Sequence, residues 1–154
     1  DPYGAFIAEA AQRFGVPEAW IRAVMRVESA GDVRAISSAG AMGLMQVMPE
    51  TGRQLARGEG IRGFTPASLE TAEINLHLGT NFWVDMERRY GDGNLPLALS
   101  AYNAGPTRAR RWRRLPEAED PLRFTERIPF EETRGYVKNI TRNIRLYQLL
   151  YEQR

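Results

Sequence analysis

Glu28 is the residue in this sequence whose setting most invites chemistry. It nearly closes the stretch EAWIRAVMRVES, residues 18–29, where Ile21, Val24, Met25 and Glu28 recur at i, i+3, i+4 and i+7. That spacing draws one stripe along a helix, so the carboxyl ends a face that is otherwise apolar. Charged side chains are seldom fully buried unless something pairs with them. A helix-end glutamate ordinarily turns outward or caps a neighbour, and the two apolar turns ahead of Glu28 weigh against that reading. A carboxyl in a partly apolar cleft has its neutral form favoured, which is what a general acid working near neutral pH requires. The candidate chemistry is proton transfer.

Other chemistries are poorly supplied. With no cysteine, the chain has no disulfides and no thiol nucleophile, and a structural zinc site is not expected. The single histidine, His77, argues against His-based metal sites and Ser-His catalysis, and it reads as a helix-surface or satisfied residue. The segment GDGN at 91–94 lacks the ligand spacing of a calcium-binding loop, so no metal or cofactor is implied. Residues 107–114, TRARRWRR, place five arginines around Trp112. Arginine beside an aromatic can mean nucleic acid, but a solvated helix face with one anchor residue is the preferred reading. A net charge of +2 is a mild bias toward anionic partners, far short of a nucleic-acid footprint.

The elements that must position Glu28 are helical almost throughout. Phe6, Ile7, Ala10 and Phe14 predict a helix over 4–14 that Gly15 ends. Pro17 then suits the first turn of the Glu28 helix, which Gly31-Asp32 should stop. Residues 31–43 read as loop, followed by a short apolar stretch and a helix with Pro49 near its start. After a Gly-rich loop at 58–66, Leu69, Ile74, Leu78, Phe82 and Met86 keep a helical rhythm, with the main helix starting near Thr71. The stretch LPLALSAYNAG predicts a helix ending by Gly105-Pro106, and 107–114 continues helically. Residues 115–128, with Pro116 and Pro121, predict an irregular excursion before a long last helix from Thr133 toward Tyr151. No stretch alternates like a strand, no repeat or linker appears, and no apolar run is long enough to span a membrane. The start, DPYGAFIAEA, does not read as a signal peptide, so a mature form or excised domain is expected. One all-α domain follows from 154 residues of ordinary globular composition, and a monomer is expected.

Four segments now gain meaning together: ESAGD, AISSAGAMGLMQVMPET, ALSAYNAG and IPFEETRGYV, in this order. They resemble the lytic transglycosylase domain of the soluble, goose-lysozyme-like family, whose members cleave the glycan strands of bacterial peptidoglycan. The resemblance covers roughly residues 16–147 of the chain. IPFEETRGYVKNI most resembles the large soluble periplasmic members. FGVPEAWIRAVMRVES equally suits stand-alone members, including those serving secretion or conjugation machinery, which makes such machinery a candidate partner.

The resemblance implies an all-α, lysozyme-like domain of goose type over residues 1–154, with a substrate groove crossing the end of the second helix. It makes Glu28 the acid/base and Ser29 a residue of the cleft. Ser37 falls on the serine of the pattern A-x-S-x-x-G-A-x-G-L-M-Q; Gly43, Leu44, Met45 and Gln46 match its end, and Met48 the following M-P. Tyr102 and Asn103 match A-Y-N-A-G, in which the tyrosine hydroxyl lies close to the catalytic glutamate. Glu132 and Tyr136 match E-T-R-x-Y, a segment that closes the cleft in the larger members. Asn75 and Gly79 match N-I-x-x-G, with Leu76 where isoleucine is common. Each has a plainer reading: Met45 and Met48 as core, Tyr102 as a buried tyrosine, Gln46 as a turn cap, Glu132 as a first-turn carboxylate.

Glycosidases ordinarily use two carboxylates. The resemblance implies one: Glu28 protonates the bond between N-acetylmuramic acid and N-acetylglucosamine, then acts as base on the muramic C6 hydroxyl, which attacks C1 to give a 1,6-anhydro ring. Gln46 would bond sugar amides and hydroxyls, Met45 and Met48 would floor the sugar faces, and the arginines of 107–114 gain anionic wall groups as a possible contact. The substrate implies a periplasmic or cell-envelope location. Two rivals stand: a hydrolytic goose-type muramidase, with Asp32 or Glu132 activating water, and an idle peptidoglycan-binding module, against which the intact set of Glu28, Gln46 and Tyr102 speaks.

Overall fold

Glycine and proline punctuation sets most element boundaries in the computed structural model, which describes residues 1–91 and 93–151. Eight α-helices follow one another there: α1 Gly4–Phe14, α2 Glu18–Ser29, α3 Pro49–Gly58, α4 Ala72–Met86, α5 Leu95–Ala104, α6 Pro106–Trp112, α7 Pro121–Arg127 and α8 Glu131–Tyr151. Two 3-10 turns, Pro66–Glu70 and Pro116–Glu119, and a π turn, Glu87–Gly91, complete them. Among the described residues no strand forms, only isolated bridges joining Ile36 to Met42 and Met42 to Val47. The fold is all-α, as expected.

Gly15 ends α1 at φ 67°, a left-handed conformation that glycine adopts without steric cost. α2 stops one residue before the expected Gly31-Asp32: Ala30 itself turns left-handed at φ 52°, its N–H bonded to the Arg26 carbonyl. The irregular excursion expected over 115–128 is instead a 3-10 turn and a helix, α7. Pro116 and Pro121 are each the first residue of their element, where a missing N–H leaves nothing unpaired. Asp120 caps α7 by accepting from the Leu122 N–H at 2.9 Å, and Phe124 is fully buried. α8 likewise begins at Glu131, two residues before Thr133. Of the expected loop at 91–94, Gly91 belongs to the π turn, and Asp92 lies outside the described residues.

The chain divides into two compact units, with the dividing points inside α4 and α8. The first comprises Asp1–Asn81 and the stretch from Ile144. In it α1 packs on α2 and α3 on the turn Pro66–Glu70, around a core including Ile7, Ile21, Leu44, Leu69, Leu76 and Leu78. Arg22, only 9% exposed, pairs with Asp1 at 2.7 Å and lies 4.8 Å over the ring of Tyr151. The second unit, Phe82–Asn143, is built on α5. Every residue from Pro96 to Tyr102 is buried, and α5 packs against α6, α7 and the π turn, which accounts for a helix apolar on all sides. Asn94 caps it, accepting from the Leu97 N–H at 3.1 Å while donating to the Ala118 carbonyl at 2.8 Å.

Candidate active site

Glu28 sits in the last turn of α2, half-buried, one turn beyond the buried Val24. Its neighbour Ser29 is engaged with backbone on three sides. The Ser29 hydroxyl lies 2.8 Å from the Leu44 carbonyl and 3.0 Å from the Met25 carbonyl, and it accepts from the Gly31 N–H at 3.1 Å. Ser29 therefore fastens the end of α2 to the loop that carries the G-L-M-Q segment.

That loop, residues 35–48, closes on itself. Ser37 exchanges two backbone-directed bonds with Ala41: its N–H donates to the Ala41 carbonyl at 2.9 Å and its hydroxyl accepts from the Ala41 N–H at 3.0 Å. Met42 and Val47 exchange N–H···O bonds of 2.9 and 3.0 Å, closing a tight turn around Gly43 at φ 79° and Gln46 at φ 53°. Gln46 is one of two non-glycine residues held left-handed among those described, the other being Ala30. The Gln46 side chain supports that turn: Nε2 donates to the Ala35 and Gly43 carbonyls, each at 3.0 Å. Both amide hydrogens are thus used within the loop, and the amide oxygen is the group left to offer a ligand. Met45 is 1% exposed, so its place here is a supporting one beneath the loop, whereas Met48, 42% exposed, offers an apolar surface at the loop's end.

Beneath the loop lies Asn75 of α4, fully buried. Its Nδ2 donates to the Met42 carbonyl at 2.8 Å and the Leu69 carbonyl at 2.9 Å, and its Oδ1 accepts from the Met45 N–H at 2.8 Å. Gly79, one turn on, leaves room for Met45: a Cβ there would lie 2.6 Å from Met45 Sδ. The motif positions Asn75 and Gly79 are therefore the seat of the loop. Sequence reasoning matched them without giving them a role. The available signal was the one Glu28 gave, a polar group set among Ile74, Leu76 and Leu78.

In the second unit Tyr102 is 8% exposed, its ring packed 5.1 Å from Phe82 and 6.4 Å from Trp83. Asn103 Oδ1 accepts from the Thr133 hydroxyl at 2.9 Å, tying the end of α5 to the start of α8. Tyr136 is buried and Glu132 is exposed in the first turn of α8, where a carboxylate suits the helix dipole. Glu28, Ser29, Ser37, Met45, Gln46 and Met48 thus belong to the first unit; Tyr102, Asn103, Glu132 and Tyr136 belong to the second.

The arginine-rich segment has its one aromatic inside. Trp112 is 4% exposed and meets Phe130 edge-on at 5.2 Å, while Arg108, Arg110, Arg111, Arg113 and Arg114 are exposed. This is a solvated helix face with an anchor, not a stacking platform. His77 Nε2 lies 2.8 Å from Glu59 Oε2, and both line a cavity of about 450 Å³ with Phe6, Glu9, Ile61 and Glu73. None of these residues is among the candidates above. Among the described residues no helix is long and apolar enough to cross a membrane, and no cluster of His, Asp or Glu is arranged to hold a metal.

A helical domain with a half-buried glutamate ending its second helix, braced by a G-L-M-Q loop, defines a class: the chain belongs to the transglycosylase SLT domain family, which matches residues 5–124. Among its relatives, the soluble lytic murein transglycosylase of Escherichia coli K12 is 38% identical over 127 residues, 81% of this chain and 20% of that protein. Among solved structures, an inactive glutamate-to-glutamine mutant of the lytic transglycosylase Slt from Pseudomonas aeruginosa superposes with a TM-score of 0.87 at 34% identity, covering 97% of this chain and 24% of that one. The 70 kDa soluble lytic transglycosylase of E. coli gives 0.85 at 32% identity, covering 96% and 24%. The chain spans a fifth to a quarter of the length of these relatives.

Proposed function

We propose that this domain cleaves the glycan strands of peptidoglycan between N-acetylmuramic acid and N-acetylglucosamine without adding water. Glu28 is first the acid and then the base. Its proton goes to the glycosidic oxygen as the bond to muramic C1 breaks, with the substrate's acetamido group assisting. The resulting carboxylate takes the proton of the muramic C6 hydroxyl while that oxygen bonds C1. Glu28 returns to its protonated state, the product carries a 1,6-anhydro ring, and no second carboxylate is required.

The observation that carries this reading is the family match across residues 5–124 with Glu28 held half-buried at the end of α2 by Ser29. Two facts support it: the relatives are named for lytic transglycosylase activity, and the Pseudomonas enzyme was solved as an inactive glutamate-to-glutamine mutant. Gln46 contributes the amide oxygen that its loop leaves over, and Met48 the apolar surface for a sugar face. On the family resemblance alone, Tyr102 orients Glu28 or stabilises its charged form. A peptidoglycan substrate places the protein in the periplasm or cell envelope.

Product mass tests the reaction. Muropeptides released from purified sacculi should be lighter by one water than hydrolytic products and lack a reducing muramic end. Reducing ends alone would identify a muramidase and refute the proposal.

A further inference from the structure

The bond from Ser29 to Leu44 and the bond from Asn75 to Met45 meet on one peptide group. The Leu44 carbonyl and the Met45 N–H belong to the same planar amide, whose two polar groups point in opposite directions in the trans form. Ser29 holds the carbonyl side at 2.8 Å and Asn75 holds the N–H side at 2.8 Å. An amide gripped at one end can still swing about its flanking bonds; gripped at both ends it is fixed in plane and direction. Hydrogen bonds arranged in a chain also polarise one another, each strengthening the next.

We propose that Asn75 is a positioning residue for Glu28, acting through the Leu44–Met45 peptide group and the Ser29 hydroxyl. This rests on the reading of Glu28 as the acid. Asn75 has no contact with that carboxyl among the bonds described; its reach is through the relay. Its own placement is fixed, since it is fully buried and its Nδ2 is held by the Met42 and Leu69 carbonyls at 2.8 and 2.9 Å. Gly43 allows this approach, because any Cβ there would collide with Asn75 Nδ2 and the Leu69 carbonyl. On the far side, Ser29 is the residue next to Glu28 in the last turn of α2, so moving Ser29 moves the backbone from which the carboxyl hangs. An asparagine serving stability alone would need only satisfied partners; this one aims its acceptor at the single peptide group that also receives the Ser29 hydroxyl.

Positional errors of about 1 Å at a reacting group can cost on the order of a hundredfold in rate. The test is a double-mutant cycle on turnover with Asn75→Ala and Ser29→Ala, using purified glycan strands at saturation and well below the unfolding temperature. Each single variant should lose roughly ten- to a hundredfold in kcat, with KM within about twofold. The double variant should be no slower than the slower single, because both break one relay. Turnover of folded Asn75→Ala within about twofold of wild type, or losses that multiply in the double variant, overturns the proposal. If Asn75→Ala does not fold, Ser29→Thr, which keeps a hydroxyl for the Leu44 carbonyl, is measured beside Ser29→Ala and should hold kcat near wild type. In that case Ser29→Ala alone decides: unchanged kcat sinks the relay. Glu28→Gln run alongside separates the two readings. If it still turns over, the acid assignment fails. If it is dead while Ser29→Ala and Asn75→Ala run normally, only the relay fails.

Discussion

Replacing Gly79 by alanine sets two effects against each other. Gly79 lies in the interior of α4, where alanine is favoured over glycine by about 1 kcal/mol on helix propensity. Packing opposes this. The new Cβ would lie 2.6 Å from Met45 Sδ, 2.7 Å from Met45 Cβ and 3.1 Å from Met45 Cγ. A thioether can swing aside, but a Cβ moves only with its backbone, and the Met45 N–H is held by Asn75 at 2.8 Å. Met45 is 1% exposed, so it has no solvent to swing into. Inserting a methyl into so closed a site costs about 1–3 kcal/mol in strain. The 2.7 Å approach of two Cβ atoms puts the strain at the upper end, about 2–3 kcal/mol, so packing wins and Gly79→Ala should destabilise the chain by about 1–2 kcal/mol, which lowers Tm by roughly 2–8 °C in a domain of this size. Thermal unfolding followed by far-UV circular dichroism, with urea unfolding as a check, measures it. A variant as stable as wild type, or more stable, would show that helix propensity decides and that the Gly79–Met45 approach is looser than described. Met45→Ala would remove Sδ and Cγ but keep the Cβ at 2.7 Å, so part of the Gly79→Ala loss should persist in that background.

Glu28→Gln should bind sacculi as wild type does while losing turnover by several orders of magnitude; muropeptide release at the wild-type rate refutes Glu28 as the acid. Gly43→Ala combines a left-handed φ of 79° with a collision against Asn75 and Leu69, so a loss above about 3 kcal/mol or failure to fold is expected in urea titration. Asn94→Ala removes the α5 cap and the bond to the Ala118 carbonyl, a loss of about 2–3 kcal/mol readable as a lowered urea midpoint. Arg111→Gln alters an exposed side chain with no ion-pair partner among the described residues, and the same titration should shift by less than about 0.5 kcal/mol.

Helix positions were legible wherever glycine, proline and apolar spacing agreed, as at Gly15, Pro49 and the buried run of α5. They failed where one proline carries two meanings. Pro116 and Pro121 read as breakers, yet each opens an element, and only the capping geometry of Asp120 and the burial of Phe124 tell the two cases apart. The stop of α2 was misplaced by one residue because Ala30 takes a conformation usually left to glycine. For the candidate site, residue types in order led to Glu28 and the G-L-M-Q segment. What they could not convey is where hydrogen bonds go. Ser29 reads as a cleft residue and its hydroxyl is engaged with backbone; Gln46 reads as bonding sugar amides and hydroxyls or as a turn cap, and its amide hydrogens hold its own loop. Met45, inside the turn closed by Met42 and Val47, is buried, while Met48, just past it, is exposed, a difference that residue type does not carry. Asn75 makes bonds spanning from Met42 to Leu69, contacts between distant segments that no local pattern encodes.

The pairing of Arg22 with Asp1 and Tyr151 has a consequence for the order in which the protein can be made. The first unit draws on chain from both sides of the second, and one guanidinium meets Asp1 from one side and Tyr151 from the other. The second unit is one unbroken stretch, Phe82–Asn143. On a ribosome, where synthesis runs from the N-terminus, the later-starting unit therefore has all its residues available first, while the earlier-starting one must wait for the final turns of α8. Until those emerge, Arg22 keeps its partner at Asp1 but lacks the ring that covers it. Contacts between such distant positions form slowly, so the end of α8 acts as a late clasp, and shortening it should delay completion of the first unit more than that of the second.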